Sequence, residues 1–597
     1  MYKEAMKDRD NTEIDLSLDR IRSLLFRLGS PQNRFPVIHI AGTNAKGSTV
    51  HHLSSLLQNV IGMRVGTFTS PHLLEERDAC KIDGDGIDFD IWQKAKRLVF
   101  QAEAHCEELN KCTPFEILTA STFTAFNLLK DEQRPDLLVI EVGMGGELDA
   151  TNVFNDKQVL ASVITAIDFD HQALLGNTLN QISRQKAGII KTNGLCIIAD
   201  QRKQSDLDHL IIDDEKVDKT RIVSCQDNGR NLKADEEIIE SIRKVALERN
   251  ARLVQTQIPW NTLLQSFTDQ SNSWSAYTTA NMRYSPILYA SRIRKGDFCA
   301  RTGDHLIVGP SLRLPATRAS MMGAFTALQT LWSIARDETP CGLGMDGSDT
   351  NEDLRLRIAF GLRDNPMAKK SIEDCIASCR LAGRAEWKSI SLDGLSEREM
   401  QDEDGQEQND LPSSSKILTL VDGAHNPAAA IALRTYIDAC INAHSLSFFA
   451  TGKKVKITIS WILAFSRGKA IDEMANNLIQ EKSSSQESNM NSGTSNLSLY
   501  NHSISSSSKI QVQHRVALIS FSTPIEGMPW VQCMAPEEAV EHFKNKKDVI
   551  EAFSFKDLRS ALRWASQSGN GKFDDEVPNM IVIAGSLYLV SDVHRLT

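Results

Sequence analysis

The sequence predicts an α/β protein whose sheets are largely parallel, organised as two domains. Three observations carry this. Short apolar runs of strand length alternate with helical patterns over the first ~200 residues, which is the signature of a parallel sheet. A Gly/Ser-rich turn joins the first such run to a helix. A second alternating stretch begins after about residue 384, beyond a long apolar helix pattern. The chain has 597 residues, 41% hydrophobic. At ~150 residues per domain that length allows four domains, but only two alternating stretches stand out. The expected limits are 1–380 and 384–597. The apolar fraction supports a sizeable core, which excludes global disorder and a collagen-like fibre.

In order, Leu16 to Leu28 reads as an amphipathic helix with Leu18, Ile21, Leu25 and Leu28 on one face. Gly29-Ser30-Pro31 stops it. Val37 to Gly42 (VIHIAG) is a strand, and HHLSSLLQNV after the turn is a helix. RVGTFTSPHL gives the next strand and its exit loop, and FEILTASTFTAFNLL a helix. Asp136 to Gly143 and Leu160 to His171 are continuous apolar runs suited to strands buried on both faces. Residues 200–300 are charged and weakly patterned. Leu314 to Ile334 is a long helix candidate. KILTLVDG, AAAIALRTYI, KVKITISWILAF, RVALISFS and MIVIAGSLYLVSDVHRL form the second α/β domain. Two stretches, 396–415 (acidic and polar) and 483–508 (Ser/Asn-rich), cannot bury enough apolar area to offset ordering entropy and read as surface insertions.

The formal net charge is -10. Such an acidic balance argues against nucleic acid or an anionic membrane as partner. No apolar run approaches the ~18 residues of a membrane span. The polar N-terminus has neither a secretory h-region nor the Arg-rich look of a transit peptide. The expected compartment is the cytoplasm, with the mitochondrion as the alternative, and the expected state is a monomer. Eleven cysteines are scattered without a CxxC pair. Cys375 and Cys379 stand at helical spacing, so the cysteines read as reduced and mostly buried.

The chemistry begins at AGTNAKGST, Ala41 to Thr49, between strand and helix. It is not the GxxxxGK[ST] phosphate loop, because Lys46 precedes Gly47. Its parts still suit a phosphate. Gly42 and Gly47 permit close backbone approach, and successive N–H groups can wrap an anion at a helix N-terminus. Lys46 supplies positive charge, and Ser48 a hydroxyl for Mg²⁺. A plain Gly/Ser turn carrying an exposed lysine is the bland alternative.

The order G-T-N-x-K-G-S resembles the nucleotide loop of the Mur ligase superfamily. FTSPHL (Phe68 to Leu73), EVGMGGELDATNV (Glu141 to Val153) and ITAIDFDHQALLGNTLNQISRQKAGIIK (Ile164 to Lys191) resemble motifs of its folate branch. GRAEW resembles the interdomain motif, DGAHNP (Asp422 to Pro427) the C-terminal-domain motif, and AGSLYLV the closing strand. In this order, the motifs make the chain similar to the folylpolyglutamate synthase and dihydrofolate synthase family. LSLDRIRSLLFRLGSPQN, Asn44 and IEGMPW lean toward the dihydrofolate synthase branch, closest to its fungal members.

The resemblance implies Mur ligase architecture: a large N-terminal P-loop-type ATPase domain that binds ATP and pteridine, and a smaller Rossmann-like C-terminal domain that handles glutamate. It implies ATP-dependent attachment of L-glutamate to dihydropteroate or a reduced folate through an acyl phosphate, with Mg²⁺. Gly42, Thr43, Asn44, Lys46, Gly47, Ser48 and Thr49 would form the nucleotide loop. Ser48, Ser70 and Glu141 would serve one Mg²⁺, and His171 a second. Lys186 matches the lysine that becomes carbamylated, converting a cation that repels metal into an anion that meets it. Arg384 matches the arginine that reaches the nucleotide phosphates, and Asp422 and His425 match residues on the nucleotide and glutamate side. Domain closure would hinge near 380–386.

Three departures stand out. Ala45 replaces a glycine common in the loop; if the position needs φ > 0, alanine costs of order 1 kcal/mol. Glu147 stands where the family usually has arginine, a charge reversal expected beside the metals. Ala316, Thr317 and Ser320 occupy places where HQxxNA is expected. Together they keep open a second class of function, a catalytically weak paralogue that binds folate or nucleotide.

Overall fold

The computed structural model describes residues 17–105, 111–201, 232–256, four short strands between 283 and 313, 318–335, 337, 350–362, 371–391 without 373 and 377, 416–449, 455–479, 510–523, 531–567 and 578–596. The insertions expected at 396–415 and 483–508, IEGMPW, Ala316, Thr317 and most of 200–300 lie outside the described residues. The chain divides into two compact units, one running up to Cys379 and the other from Arg380 onward.

The first unit is built on β1 (Val37–Ala41), β2 (Val65–Phe68), β3 (Cys80–Ile82), β4 (Asp85–Gly86), β5 (Leu137–Glu141), β6 (Val159–Ile164), β7 (Leu195–Ile198) and β8 (Arg252–Gln255). They form one sheet in the order β4-β3-β2-β5-β1-β6-β7-β8. Every pairing from β2 to β8 is parallel, while β3 and β4 add an antiparallel edge. β1 lies between β5 and β6, and all five of its residues are buried. Alternation divides them between two faces. Ile38 and Ile40 join a core with Val50, Leu53, Met322 and Phe325, whereas Val37 packs with Phe123 and Phe126 on the other side. A strand with no solvent face is predominantly apolar, which is why β1 and β5 were readable as apolar runs despite the buried His39 and Glu141.

The helices are α1 (Asp19–Arg27), α2 (Lys46–Leu56), α3 (Phe89–Ala104), α4 (Pro114–Leu128), α5 (Gln172–Leu175), α6 (Leu179–Ala187), α7 (Leu232–Glu248), α8 (Arg318–Ala335) and α9 (Thr350–Gly361). α4 opens with a capping box, Thr113 Oγ1 accepting from Glu116 N–H and the Glu116 carboxylate from Thr113 N–H. Two small antiparallel pairs, β9 (Arg283–Tyr284) with β12 (Leu312–Arg313) and β10 (Ile287–Tyr289) with β11 (His305–Ile307), complete this unit.

The second unit has β13 (Glu386–Ser391), β14 (Lys416–Val421), β15 (Val455–Leu463), β16 (Ile510–Leu518), β17 (Val549–Ser554) and β18 (Asn579–Ala584), ordered β13-β14-β18-β15-β16-β17. Only the β13–β14 pairing is antiparallel. Its helices are α10 (Pro427–Phe449), α11 (Ile471–Ile479), α12 (Pro536–Glu541), α13 (Leu558–Ser566) and α14 (Leu587–Leu596). The expected class, two α/β units with largely parallel sheets, is therefore what the chain adopts.

Three local expectations change. The run from Leu160 to His171 stays in the sheet only to Ile164, because the backbone beyond it turns to bind the phosphate-type loop and carries Asp168 and Asp170. AGSLYLV is not a strand throughout: Gly585 takes φ 103, Ser586 Oγ accepts from Tyr588 N–H, and Leu587 begins α14. α7 and β8 form within the region that showed little pattern, and β13 and β17 were also missed. β17 is an edge strand with Ile550 and Phe553 exposed, so its sequence lacks a buried-strand pattern.

Candidate functional site

The suspected residues of the first unit cluster at the carboxyl ends of β1, β5 and β6, where parallel sheets bind ligands. Gly42 leaves β1 with φ 149, and a Cβ there would stand 1.9 Å from Thr165 Oγ1. Only glycine fits this exit. Thr43 and Asn44 N–H both donate to the Ala166 carbonyl, at 2.9 and 3.0 Å. Thr43 Oγ1 is stapled to the next loop, donating to Asp168 O and accepting from Asp168 N–H. Ala45 has φ 66 and ψ 10, so the position does require a left-handed backbone. Thr49 is the first helical donor, reaching Ala45 O at 2.9 Å, and its hydroxyl donates to the same carbonyl.

These bonds assign different work to the loop residues. Thr43, Asn44 and Thr49 shape the loop through groups already engaged. A phosphate would be met by the donors that follow, in the first turn of α2 at Lys46, Gly47 and Ser48, which precede the first intrahelical bond. Lys46 Nζ lies 3.4 Å from Thr43 O and 3.9 Å from Glu141 Oε1, so cation and carboxylate face each other at the loop mouth.

Lys186, near the end of α6, is buried and donates from Nζ to Gly42 O at 2.9 Å. Burial lowers its pKa to about 7; Lys46 pushes the same way, and Asp170 and Asp149 oppose. At neutral pH a large share of this amine is therefore uncharged. Five residues on, Lys191 Nζ donates to Asn152 Oδ1 at 2.8 Å and to Phe154 O at 3.0 Å. Burial brings it to about 8, with Asp156 opposing.

Those contacts join EVGMGGELDATN to KAGIIK. Asn152 Nδ2 donates to Glu147 O and Gly188 O. A Cβ at Gly146 would lie 2.7 Å from the Gln185 and Lys186 carbonyls, so this glycine lets the loop rest on the end of α6. The buried Asp149 accepts from Met144 N–H, Thr151 N–H and Thr151 Oγ1. Thr151 Oγ1 in turn receives His39 Nε2 at 2.9 Å, and burial holds His39 well below its ordinary pKa, hence neutral. Glu147 is exposed, so the expected charge reversal turns toward solvent. The DATN stretch carried no assignment for Asp149, Thr151 or Asn152; their signal was three polar residues within four positions, shortly after the Gly145-Gly146 pair.

The donor set suits a hard divalent ion bound mainly by phosphate and water. Ser48 Oγ is buried and has no hydrogen-bond partner among the described residues, while Glu141 is a buried carboxylate at a strand end. Among the described residues no group of three His, Cys, Asp or Glu side chains could hold a metal by itself. His171, expected beside a second Mg²⁺, has φ 49 and an exposed side chain whose Nε2 is 3.6 Å from Asp170 Oδ2. Ser70 follows β2 by two residues and is half-buried. Gly323 of α8 was not foreseen. A Cβ there would stand 2.8 Å from the Ser48 carbonyl carbon, so this glycine lets α8 pack directly behind the loop.

In the second unit, GRAEW and DGAHNP meet. Gly423 N–H donates to Gly383 O, and Ala385 N–H donates to Asp422 Oδ2 at 2.8 Å. Asp422 Oδ1 accepts from Ala424 N–H; burial raises this carboxyl's pKa, and Arg384 opposes. A Cβ on Gly423 would lie 2.7 Å from Arg384 Nη1, so the guanidinium lies against that glycine. His425 Nδ1 reaches Gly423 O at 2.8 Å. Asn426 Oδ1 accepts from Ala429 N–H, capping α10 with Pro427 at its first position.

With this geometry in hand, comparisons with known proteins add names. Residues 407–489 and 507–596 match the family described as the dihydrofolate synthetase C-terminal domain. The chain is 47% identical over 177 residues to dihydrofolate synthetase of Saccharomyces cerevisiae, covering 30% of this chain and 40% of that one. It is 43% identical over 186 residues to a probable dihydrofolate synthetase of Schizosaccharomyces pombe, covering 31% and 42%. In these alignments the chain spans about two fifths of the relatives' own length. In fold it is similar to Mycobacterium tuberculosis folylpolyglutamate synthase complexed with ADP, with TM-score 0.61, 20% identity and coverage of 100% of this chain and 97% of that one. Escherichia coli FolC, solved in complex with DHPP and ADP, gives TM-score 0.56 at 20% identity, covering 100% and 96%. The resemblance read from the motifs, to the folylpolyglutamate synthase and dihydrofolate synthase family, holds.

Proposed function

We propose that this chain is an ATP-dependent ligase that joins L-glutamate to the carboxylate of dihydropteroate. The observation that carries the reading is the buried Lys186 amine on Gly42 O, beside the facing Lys46 and Glu141 at the phosphate-type loop. The yeast relatives named dihydrofolate synthetase support the choice of acceptor.

In this reading the first-turn N–H groups of α2 and Lys46 hold the β and γ phosphates. Ser48, Glu141 and Ser70 would hold Mg²⁺, with His171 and Lys186 at a second ion. Bound there, Mg²⁺ supplies charge neutralisation to the phosphates in transfer. The dihydropteroate carboxylate oxygen attacks the γ phosphorus and ADP leaves, giving an acyl phosphate. The glutamate amine then attacks the acyl carbon, phosphate leaves, and the amine loses a proton. Both steps concentrate negative charge, so cations and oriented N–H groups give most of the stabilisation. A neutral Lys186 amine can add CO₂, forming an N–C bond and releasing a proton, which turns the uncharged amine into an anion. Arg384 would neutralise charge at the γ phosphate, and Asp422 and His425 would serve the nucleotide and glutamate side. The protein acts as a cytoplasmic monomer on small molecules, with neither nucleic acid nor membrane as partner.

A second reading, addition of γ-glutamates to reduced folates, is favoured by a Bacillus subtilis relative whose name carries both activities. A substrate panel with purified protein separates the two. ATP- and glutamate-dependent phosphate release with dihydropteroate is expected. Extension of tetrahydrofolate alone would establish the second reading. Nucleotide binding without turnover on any pteroate or folate would leave the binding paralogue.

A further inference from the structure

We infer that Glu386 and His594 are positioning residues for Arg384, a conclusion resting on the phosphate-facing role proposed above for that arginine. Arg384 sits between two left-handed residues, Gly383 at φ 66 and Ala385 at φ 46. For alanine that backbone is strained and persists only where its surroundings over-determine it. Asp422 fixes the far side of the turn through Ala385 N–H. The near side is fixed by Glu386, whose Oε2 accepts from Gly383 N–H at 2.9 Å.

That same oxygen receives His594 Nε2 at 2.9 Å, and His594 Nδ1 lies 3.3 Å from Lys388 Nζ. Lys388 Nζ faces Nδ1, Nε2 donates to Glu386, and Glu386 accepts the backbone N–H beside Arg384. The carboxylate is half-buried: burial raises its pKa, but the His594 hydrogen bond, Gly383 N–H and the nearby charges outweigh that and keep it ionised. His594 is in the last turn of α14, one helical turn beyond Val590, so both lie on one face. A Cβ on Gly383 would stand 2.6 Å from Val590 Cγ1. The C-terminal helix thus grips the turn twice, by contact at Gly383 and by hydrogen bond through Glu386. Glu386 and Lys388 present to the same side of β13, two residues apart, as strand alternation requires.

The test compares wild type with Arg384→Ala, Glu386→Gln, His594→Ala, His594→Gln and the double variant Arg384→Ala/Glu386→Gln. Initial rates of ATP- and glutamate-dependent phosphate release with dihydropteroate are measured, with backbone amide exchange of 382–386 on the full chain. A displaced arginine should lower kcat on the order of tenfold or more in Glu386→Gln and His594→Ala, with KM for glutamate within about twofold. His594→Gln retains a donor and should recover most of the rate. The double variant should be no slower than Arg384→Ala, and Gly383 N–H should exchange faster in Glu386→Gln.

Impaired Arg384→Ala beside unimpaired Glu386→Gln and His594→Ala would overturn the positioning pair alone. So would a Glu386→Gln effect that multiplies that of Arg384→Ala, or unchanged exchange at Gly383. Fully active Arg384→Ala would instead overturn the role assigned to the arginine itself.

Discussion

The turn Thr43–Lys46 and the turn Gly383–Glu386 solve the same problem with different materials. Each places a cation directly beside an alanine in left-handed backbone, Ala45 at φ 66 before Lys46 and Ala385 at φ 46 after Arg384. The first turn is held against main chain: the Ala166 carbonyl takes two N–H groups, and the Thr43 hydroxyl clasps the backbone of Asp168. The second is held by carboxylates, Asp422 on one side and Glu386 on the other. Support of this kind tolerates substitution at most positions, provided the glycines and the Thr43 hydroxyl stay. Carboxylate support concentrates the turn's shape in two side chains, and each can be removed singly.

The sharpest break on the first side is Lys186→Ala, which removes the buried donor to Gly42 O. We expect kcat to fall at least ~100-fold; full activity in phosphate release would contradict the assigned role. On the second side, Asp422→Ala leaves the N–H groups of Ala385 and Ala424 without their acceptor. A loss of about 2–3 kcal/mol is expected, read from the urea midpoint of the second unit, and an unshifted midpoint would show that the turn does not depend on this carboxylate.

Gly323→Ala presses a methyl onto the Ser48 backbone and should cost roughly 1–3 kcal/mol. Its urea midpoint and ATP KM should move together; a change in stability without one in KM would uncouple α8 from the loop.

Lys191 gives a pH test of the layer beneath the first turn. Its pKa is near 8 in the fold against 10.5 when free. Between those values the unfolded chain binds more protons, so stability rises with pH there and the burial penalty is fully present below about 8. Wild type should therefore gain on Lys191→Met by up to about 1 kcal/mol per pH unit from pH 8 to 10. Parallel stability curves would show that Lys191 is not buried as a cation.

The smallest effects come from Ala45→Gly and Ala385→Gly. Each relieves a left-handed alanine but frees the unfolded chain, so each should stabilise by no more than about 1 kcal/mol. A loss at either position, seen as a lower melting temperature, would mean that its methyl packs usefully. Ala45 is the better candidate for that outcome, since it lies against the apolar core.

What could be read in advance follows from where the physics is local. Strands buried on both faces are predominantly apolar, so β1 and β5 declared themselves, and a strand, glycine turn and helix in succession declared the phosphate-type loop. The φ > 0 requirement at residue 45 was inferable from an alanine replacing glycine, and the backbone has it. β13 and β17 escaped because they are edge strands with mixed exposure. Most of the rest depended on pairs far apart in the chain. Gly42 with Lys186, Ser48 with Gly323, and Glu386 with His594 are 144, 275 and 208 residues apart. Composition and spacing specify which side chains are capable of the chemistry. Burial specifies which amine loses its proton and which carboxylate holds a turn, because desolvation and hydrogen bonding exist only once the chain has closed around them.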